Sequence, residues 1–187
     1  MWLTWGFRMG PERGTFVARR ARIRQGRVQI ASPIPDRHLA DAALLWARAF
    51  APPLGARQPR LRPCHGIAAI GANGRLGGVA GIRDHRGGFL AYQPWLARVL
   101  YRMAPPTADL VIDGIVVDDR RLGIGRALLD RAAQVARHAG RPGLRAEVEM
   151  RNTAAMAFYA ATGFVEIGRG FFGWPWSGPV AILHRPV

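Results

Sequence analysis

The chain has 187 residues, and its composition of 49% hydrophobic and 21% charged residues suits one globular domain with a sizeable core. All 27 basic residues are arginine, and the net charge of +15 favours anionic ligands such as phosphate-rich cofactors. Because lysine is absent, Schiff-base catalysis is excluded. Cys64 is the only cysteine, so an internal disulfide and a cysteine-rich zinc site are excluded, and a reducing cytoplasm is the expected location.

The first half of the chain predicts an N-terminal arm followed by five elements. Residues 1–26 are rich in Arg and Gly and lack a sustained hydrophobic period, so we treat them as a basic, disordered arm before a domain over residues 27–187. Periodicity and turn residues then predict a strand at 28–30, a helix at 36–50 capped by Asp36, strands at 65–71 and 75–82 around an Asn-Gly turn, and a helix at 92–103.

The second half of the chain has stronger patterns. It predicts a strand at 110–117, a helix at 123–138, a strand at 144–149, a helix at 153–162 closed by Gly163, and strands at 164–167 and 180–184. The alternation of strands and helices indicates a mixed α/β layered fold. No apolar run approaches the length of a membrane-spanning helix, so no membrane partner is expected.

A glycine-rich turn follows the strand at 110–117. Gly123 and Gly125 permit positive φ and close backbone approach, so backbone N–H groups at the start of the next helix can point at one anion. Full positive charges nearby come from Arg120, Arg121 and Arg126. The turn lacks the third glycine of the dinucleotide-binding fingerprint, since Leu128 stands there, and it lacks the lysine of the Walker motif. A pyrophosphate is therefore the predicted ligand.

A second motif runs from Asn152 to Phe164 with the sequence NTAAMAFYAATGF. Together with the Arg-x-x-Gly-x-Gly turn, it resembles the signature of the GNAT N-acetyltransferase family, matching Asn-x-x-Ala-x-x-Leu/Phe-Tyr-x-x-x-Gly-Phe at every specified position. Asn152 stands at a helix cap position, and Ala155, Phe158 and Tyr159 share one helical face. The resemblance covers residues 109–168 well and residues 28–108 only through element order.

The resemblance implies a central mixed, mostly antiparallel sheet flanked by helices, with acetyl-CoA as co-substrate, a primary amine as acceptor and no metal. It implies that the strand before the turn splays from its neighbour and that its backbone pairs with the pantetheine arm. Tyr159 matches the residue that protonates the departing thiolate, whereas core packing is the competing role for Phe158. The implied cofactor-binding residues are Ile115, Val116, Val117, Arg120, Arg121, Leu122, Gly123, Ile124, Gly125, Arg126, Ala127, Asn152, Ala155 and Phe158.

Carboxylates on the central strands are the candidates for the base that deprotonates the amine. We rank Asp113 and Glu147 first, ahead of Asp109 and Glu149; a salt bridge with an arginine is the alternative role for each. His65, His85 and Cys64 lack a supporting motif. The aromatic segment 171–176 can line the acceptor site, or it can serve core packing or a dimer contact.

Two other functions compete with catalysis. One is a non-catalytic GNAT-like domain that senses CoA thioesters or serves as an interaction module, and the presence of Tyr159 and Asn152 argues against it. The other is nucleic-acid binding through the arginine-rich arm, which no recognition motif supports. A homodimer stays open, because dimers are common among similar proteins.

Overall fold

A computed structural model describes residues 28–50, 58–92, 99–118 and 123–187 of the chain. The predicted arm at 1–26 lies outside the described residues, as do residues 93–98 of the predicted helix at 92–103; Val99 and Leu100 are helical, whereas residues 101–103 are not. The described elements are β1 (Gln29–Ala31), α1 (Leu39–Phe50), β2 (Gly66–Ile70), β3 (Leu76–Asp84), β4 (Gly87–Gly88), β5 (Leu110–Val117), α2 (Ile124–His138), β6 (Gly143–Glu149), α3 (Thr153–Ala161), β7 (Val165–Gly170) and β8 (Val180–Pro186).

One eight-stranded sheet organises the described residues. Its strand order is β1-β2-β3-β5-β6-β8-β7, and the short β4 pairs with β3 off this path. The pairing of β5 with β6 is parallel, and the other described pairings are antiparallel. The expected mixed, mostly antiparallel sheet flanked by helices is therefore confirmed. No helix among the described residues is long and apolar enough to cross a membrane.

The start of α1 differs from the sequence-based expectation. Asp36 does not cap the helix, because Pro35 occupies the cap position and Asp36–His38 form a 3-10 turn before α1 begins. Pro35 is itself extended, with ψ of 140°, so the first helical turn starts at Asp36. The strand β4 was not predicted, since two glycines carry no β-strand signal.

Two hydrophobic clusters cover the two faces of the sheet. On one face, α2 and α3 pack on β5 and β6, and the fully buried Leu128, Ile115 and Tyr159 lie in this cluster. On the other face, α1 places Trp46 against the sheet, where Gly81 and Gly114 are paired across β3 and β5. A Cβ on either glycine would lie within 3.0 Å of the Trp46 ring, so these glycines permit the close approach of α1.

Candidate active site

The strands β5 and β6 separate partway along the sheet. Their parallel pairing is confined to Leu110–Ile112 with Leu144–Ala146, whereas β5 stays paired with β3 as far as Val117. Among the described residues, the β6-facing backbone edge at 115–117 therefore has no strand partner. Ile115 and Val117 pack on the α2 face and Val116 on the α1 face, as strand alternation predicts. The splayed strand that the resemblance implied is present.

The glycine-rich turn leads directly into α2. Gly123 caps the helix with φ of 72°, in the left-handed region that favours glycine, and nothing lies within 4 Å of a Cβ placed there. Ile124 is buried in the core, while Gly125 and Ala127 are half-buried at the start of the helix. Arg126 is exposed and donates a 3.0 Å hydrogen bond to the carbonyl oxygen of Ala161. Arg120, Arg121 and Leu122 lie outside the described residues.

The second motif forms the cap and buried face of α3. The Asn152 side chain accepts a 3.1 Å hydrogen bond from the Ala155 N–H, which confirms its predicted cap role. Ala155 and Tyr159 are buried, whereas Phe158 is half-buried and lies 3.2 Å from where a Cβ on Gly125 would be. Phe158 thus packs between the two motifs at the edge of the core.

Tyr159 is enclosed by apolar groups. Its ring makes edge contacts with the rings of Phe158 and Phe164, at centroid distances of 5.4 and 4.9 Å. Only 1% of the residue is exposed, and this burial raises the pKa of the Tyr159 phenol well above its usual value. The phenol is therefore neutral over the whole physiological pH range.

Asp113 occupies a β-bulge at the point where β5 leaves β6. Gly81 pairs with Gly114 and Ile82 with Ile112, so Asp113 has no partner residue on β3. Its carboxylate forms a 2.7 Å ion pair with the Nε of Arg83 and accepts a 3.4 Å hydrogen bond from the Phe89 N–H. Burial nevertheless raises the pKa of Asp113 above its ordinary value, although the Arg83 charge opposes that change.

Glu147 shares Arg83 with Asp113. One Glu147 oxygen lies 2.9 Å from Arg83, and the other lies 3.2 Å from Arg145. Arg145 is buried and also donates a 2.7 Å hydrogen bond to the carbonyl oxygen of Pro105. The structure therefore brings the two first-ranked carboxylates together through one guanidinium group, and it shows the arginine pairing that was the alternative role for each.

An aromatic roof, formed by Tyr101, Trp174 and Trp176, lies beside this polar cluster. Tyr101 contacts Trp174 edge-on at 5.7 Å, and Trp174 stacks on Trp176 at 5.2 Å. Reciprocal 2.8 Å backbone hydrogen bonds between Arg102 and Gly173 join the two segments. Burial raises the pKa of the Tyr101 phenol well above its usual value, and the nearby charges of Glu147 and Asp113 contribute to the same direction.

No sequence pattern predicts a site role for Tyr101, because its position depends on the contact between segments 99–103 and 171–179. The remaining candidates lie elsewhere. His65 pairs with Asp84 at 3.3 Å, the thiol of the exposed Cys64 lies 3.3 Å from His65, and Asp109 pairs with His184 at 3.4 Å. Asp84 and Asp109 stand at the opposite end of their strands from the splayed segment, so these groups do not join the polar cluster.

Comparison with known proteins gives a consistent classification. A sequence model described as the acetyltransferase (GNAT) family matches residues 38–164. Ard1 from Thermoplasma volcanium is similar in structure with a TM-score of 0.60 at 18% identity, over 86% of this chain and 97% of that chain. YncA from Salmonella typhimurium, solved with its cofactor acetyl-CoA, has a TM-score of 0.56 at 15% identity, over 86% and 94%. No curated protein sequence matches the chain significantly.

The family model covers more than half of the chain, so the chain belongs to the GNAT acetyltransferase family. A Bacillus anthracis protein in complex with acetyl coenzyme A shares 25% identity with a TM-score of 0.48, over 65% of this chain. This chain covers only 61% of that protein's length.

Proposed function

We propose that the protein transfers an acetyl group from acetyl-CoA directly to a primary amine. The observation that carries this proposal is the separation of β5 from β6, with Tyr159 buried on one face and the Asp113–Arg83–Glu147 cluster on the other. A thioester lying between the two strands would have a proton donor on one side and carboxylates on the other. Such an arrangement suits a reaction in which one group loses a proton and another gains one.

The proposed binding site for acetyl-CoA consists mainly of backbone groups. The edge of β5 at residues 115–117, which has no partner among the described strands, can hydrogen-bond the amide groups of pantetheine, much as a neighbouring strand would. The N–H groups in the first turn of α2, after Gly123, have no partner within the helix and suit the pyrophosphate, and Arg120 and Arg121 would add charge there. That YncA was solved with acetyl-CoA supports this choice of donor at the level of the family.

In the proposed reaction, a carboxylate of the Asp113–Glu147 pair takes a proton from the acceptor ammonium, directly or through water. The free amine attacks the thioester carbonyl carbon, the nitrogen of the adduct loses its second proton to water, and the C–S bond then breaks. Tyr159 donates its phenolic proton to the leaving thiolate, so the products are the N-acetylated amine and CoA thiol. Solvent afterwards restores the phenol and removes the proton from the carboxylate pair.

Two measurements test the proposal. Acetyl-CoA should raise the melting temperature, and a panel of primary amines should release free CoA thiol at a rate that depends on the amine. If saturating acetyl-CoA leaves the melting temperature unchanged, acetyl-CoA is excluded as the acetyl donor. Stabilisation by acetyl-CoA without thiol release from any amine would instead favour the alternative function, a sensor of CoA thioesters.

A further inference from the structure

Glu149 has one buried carboxylate oxygen that accepts no hydrogen bond from the described part of the chain. Its Oε2 lies 2.6 Å from the Nε of Arg151, but its Oε1 is buried and has no hydrogen-bond partner. Only 7% of the Glu149 side chain is exposed. A buried carboxylate oxygen without a partner loses its hydration and gains no hydrogen bond in return. Contact with a hydrogen-bond donor or a cation would therefore stabilise this atom.

The other two carboxylates of the region do not share this property. Both oxygens of Asp113 are engaged, one by Arg83 and the other by the Phe89 N–H. Both oxygens of Glu147 are also engaged, by Arg83 and Arg145. Among the buried side-chain atoms of the described residues that lack a partner, the Glu149 Oε1 is the one carboxylate oxygen, and the others are arginine nitrogens.

Glu149 stands on the same strand face as Glu147. The two residues are separated by one position on β6, which pairs with β8 in regular register, so their Cα atoms lie about 6.6 Å apart along the strand. Both residues follow Ala146, the last β6 residue that pairs with β5. Glu149 therefore belongs to the splayed part of β6, next to the carboxylate pair that we propose as the base.

Among the described residues, Arg151 is the one ion-pair partner of Glu149, and it is weakly held. Arg151 is 64% exposed, so water screens its charge and competes for its guanidinium. This pair satisfies Oε2 and leaves Oε1 without a hydrogen-bond partner among the described residues. The aromatic roof adds Trp176, which is 48% exposed and whose outer ring face can attract a cation.

The net charge of the chain also indicates what kind of ligand Glu149 binds. A net charge of +15 repels cations at long range, so a cationic acceptor needs a local negative group to bind. We propose that Glu149 binds a second positive group of the acceptor, so that the substrates are amines carrying another ammonium or guanidinium group a few bonds from the reacting nitrogen. This inference rests on the proposed function, and it names the substrate class of that site.

The test compares 1,4-diaminobutane with butylamine, which differ in the second ammonium group. The ratio of their kcat/KM values, measured by thiol release, should favour the diamine by about tenfold or more in the natural protein. The variant Glu149→Gln keeps the shape of the side chain and should reduce this ratio to within about twofold of unity. The variant Arg151→Gln removes the competing cation from an exposed position and should raise the ratio. Glu166→Gln is the matched control, because Glu166 pairs with Arg169 on β7 away from the site.

The inference is overturned if the natural protein shows no preference for the diamine, or if Glu149→Gln keeps the full preference. Should Glu149→Gln fail to fold, an unchanged ratio in Arg151→Gln overturns it equally. If acetyl-CoA binds but neither amine releases thiol, the proposed acetyl transfer is wrong. The binding of a second positive group by Glu149 can still be tested by thermal stability. In that case 1,4-diaminobutane should raise the melting temperature of the acetyl-CoA complex more than butylamine does, and Glu149→Gln should abolish the difference. Equal shifts for the two amines overturn the claim.

Discussion

Arg83 on β3 and Glu147 on β6 form a 2.9 Å ion pair across the face of the intervening strand β5. The same guanidinium pairs with Asp113 on β5 at 2.7 Å, so one side chain links three strands. This link lies where β5 and β6 stop pairing. It holds the strands together where the backbone hydrogen bonds between β5 and β6 end. The polar cluster therefore serves the sheet as well as the proposed chemistry.

The substitution Arg83→Met should be more destabilising than Asp113→Asn or Glu147→Gln. It leaves two largely buried carboxylates without their shared cation, at a cost of about 3 kcal/mol in the free energy of unfolding at pH 7. Each carboxamide variant leaves the other carboxylate paired with Arg83, so each should cost less. Urea unfolding of the three variants measures the order.

The destabilisation caused by Arg83→Met should depend on pH in a definite direction. Burial raises the pKa of Asp113, so this group is protonated more readily in the folded than in the unfolded protein as pH falls. A raised folded pKa means that the stability contributed by the protonated form is present at low pH and is lost as pH rises. The destabilisation by Arg83→Met should therefore be smaller near pH 4 than at pH 7. An equal cost at both pH values would contradict this role for the carboxylates.

Gly123 and Gly140 provide a matched pair at the two ends of α2. Both have positive φ, 72° and 65°, and a Cβ at either position would meet nothing within 4 Å. An alanine should thus cost about 1–2 kcal/mol of stability at each site through backbone strain alone. Only Gly123→Ala should also weaken acetyl-CoA binding, which isothermal titration calorimetry measures. Equal weakening by Gly140→Ala would remove the turn from the proposed cofactor site.

Tyr159→Phe tests the proton donor. The variant keeps the ring that packs between Phe158 and Phe164 and removes only the hydroxyl, so the fold and acetyl-CoA affinity should persist. Turnover with a good acceptor should fall by about 10²-fold, the lower range for a positioned general acid. Tyr92→Phe is the control, since Tyr92 is 71% exposed and should tolerate the change. Unchanged turnover in Tyr159→Phe would assign the protonation of the thiolate to another group.

Much of this fold could be predicted because local signals and tertiary packing agree in the second half. The strand at Leu110–Val117 is apolar on both faces, and the structure buries it between two helical layers. Gly163 ends α3 with φ of 87°, as a glycine after a helix predicts. Asn152 caps the same helix through a contact only three residues away. Such short-range geometry is encoded locally, so the sequence is sufficient to predict it.

The parts that escaped prediction depend on long-range contacts. Asp113 looks like a polar interruption in a strand, and only the register with β3 reveals that it occupies a bulge. The pairing of Arg83 with Glu147 joins residues 64 positions apart, and no spacing in the sequence indicates it. Tyr101 reaches the site because Arg102 pairs with Gly173. In each case the informative partner lies on a distant segment.

Alkaline pH should destabilise the protein through its two buried tyrosines. Burial raises the pKa of Tyr159, and burial together with the charges of Glu147 and Asp113 raises the pKa of Tyr101. An unfolded tyrosine has a pKa of about 10, so the stability from the protonated phenols is complete below that pH and declines as pH rises above it. Each phenol should contribute a slope of up to about 1.4 kcal/mol per pH unit.

The variant Tyr159→Phe has no phenol to ionise at this position. Above pH 10 its unfolding free energy should therefore fall less steeply with pH than that of the natural protein, by the contribution of one proton. Chemical denaturation between pH 8 and about 11 measures the slope, with Tyr92→Phe as the exposed control. If the slope of Tyr159→Phe equals that of the natural protein, the Tyr159 hydroxyl ionises as easily in the folded state as in the unfolded chain. Such a hydroxyl would be in contact with water, and its enclosure between Phe158 and Phe164 would have to open in solution.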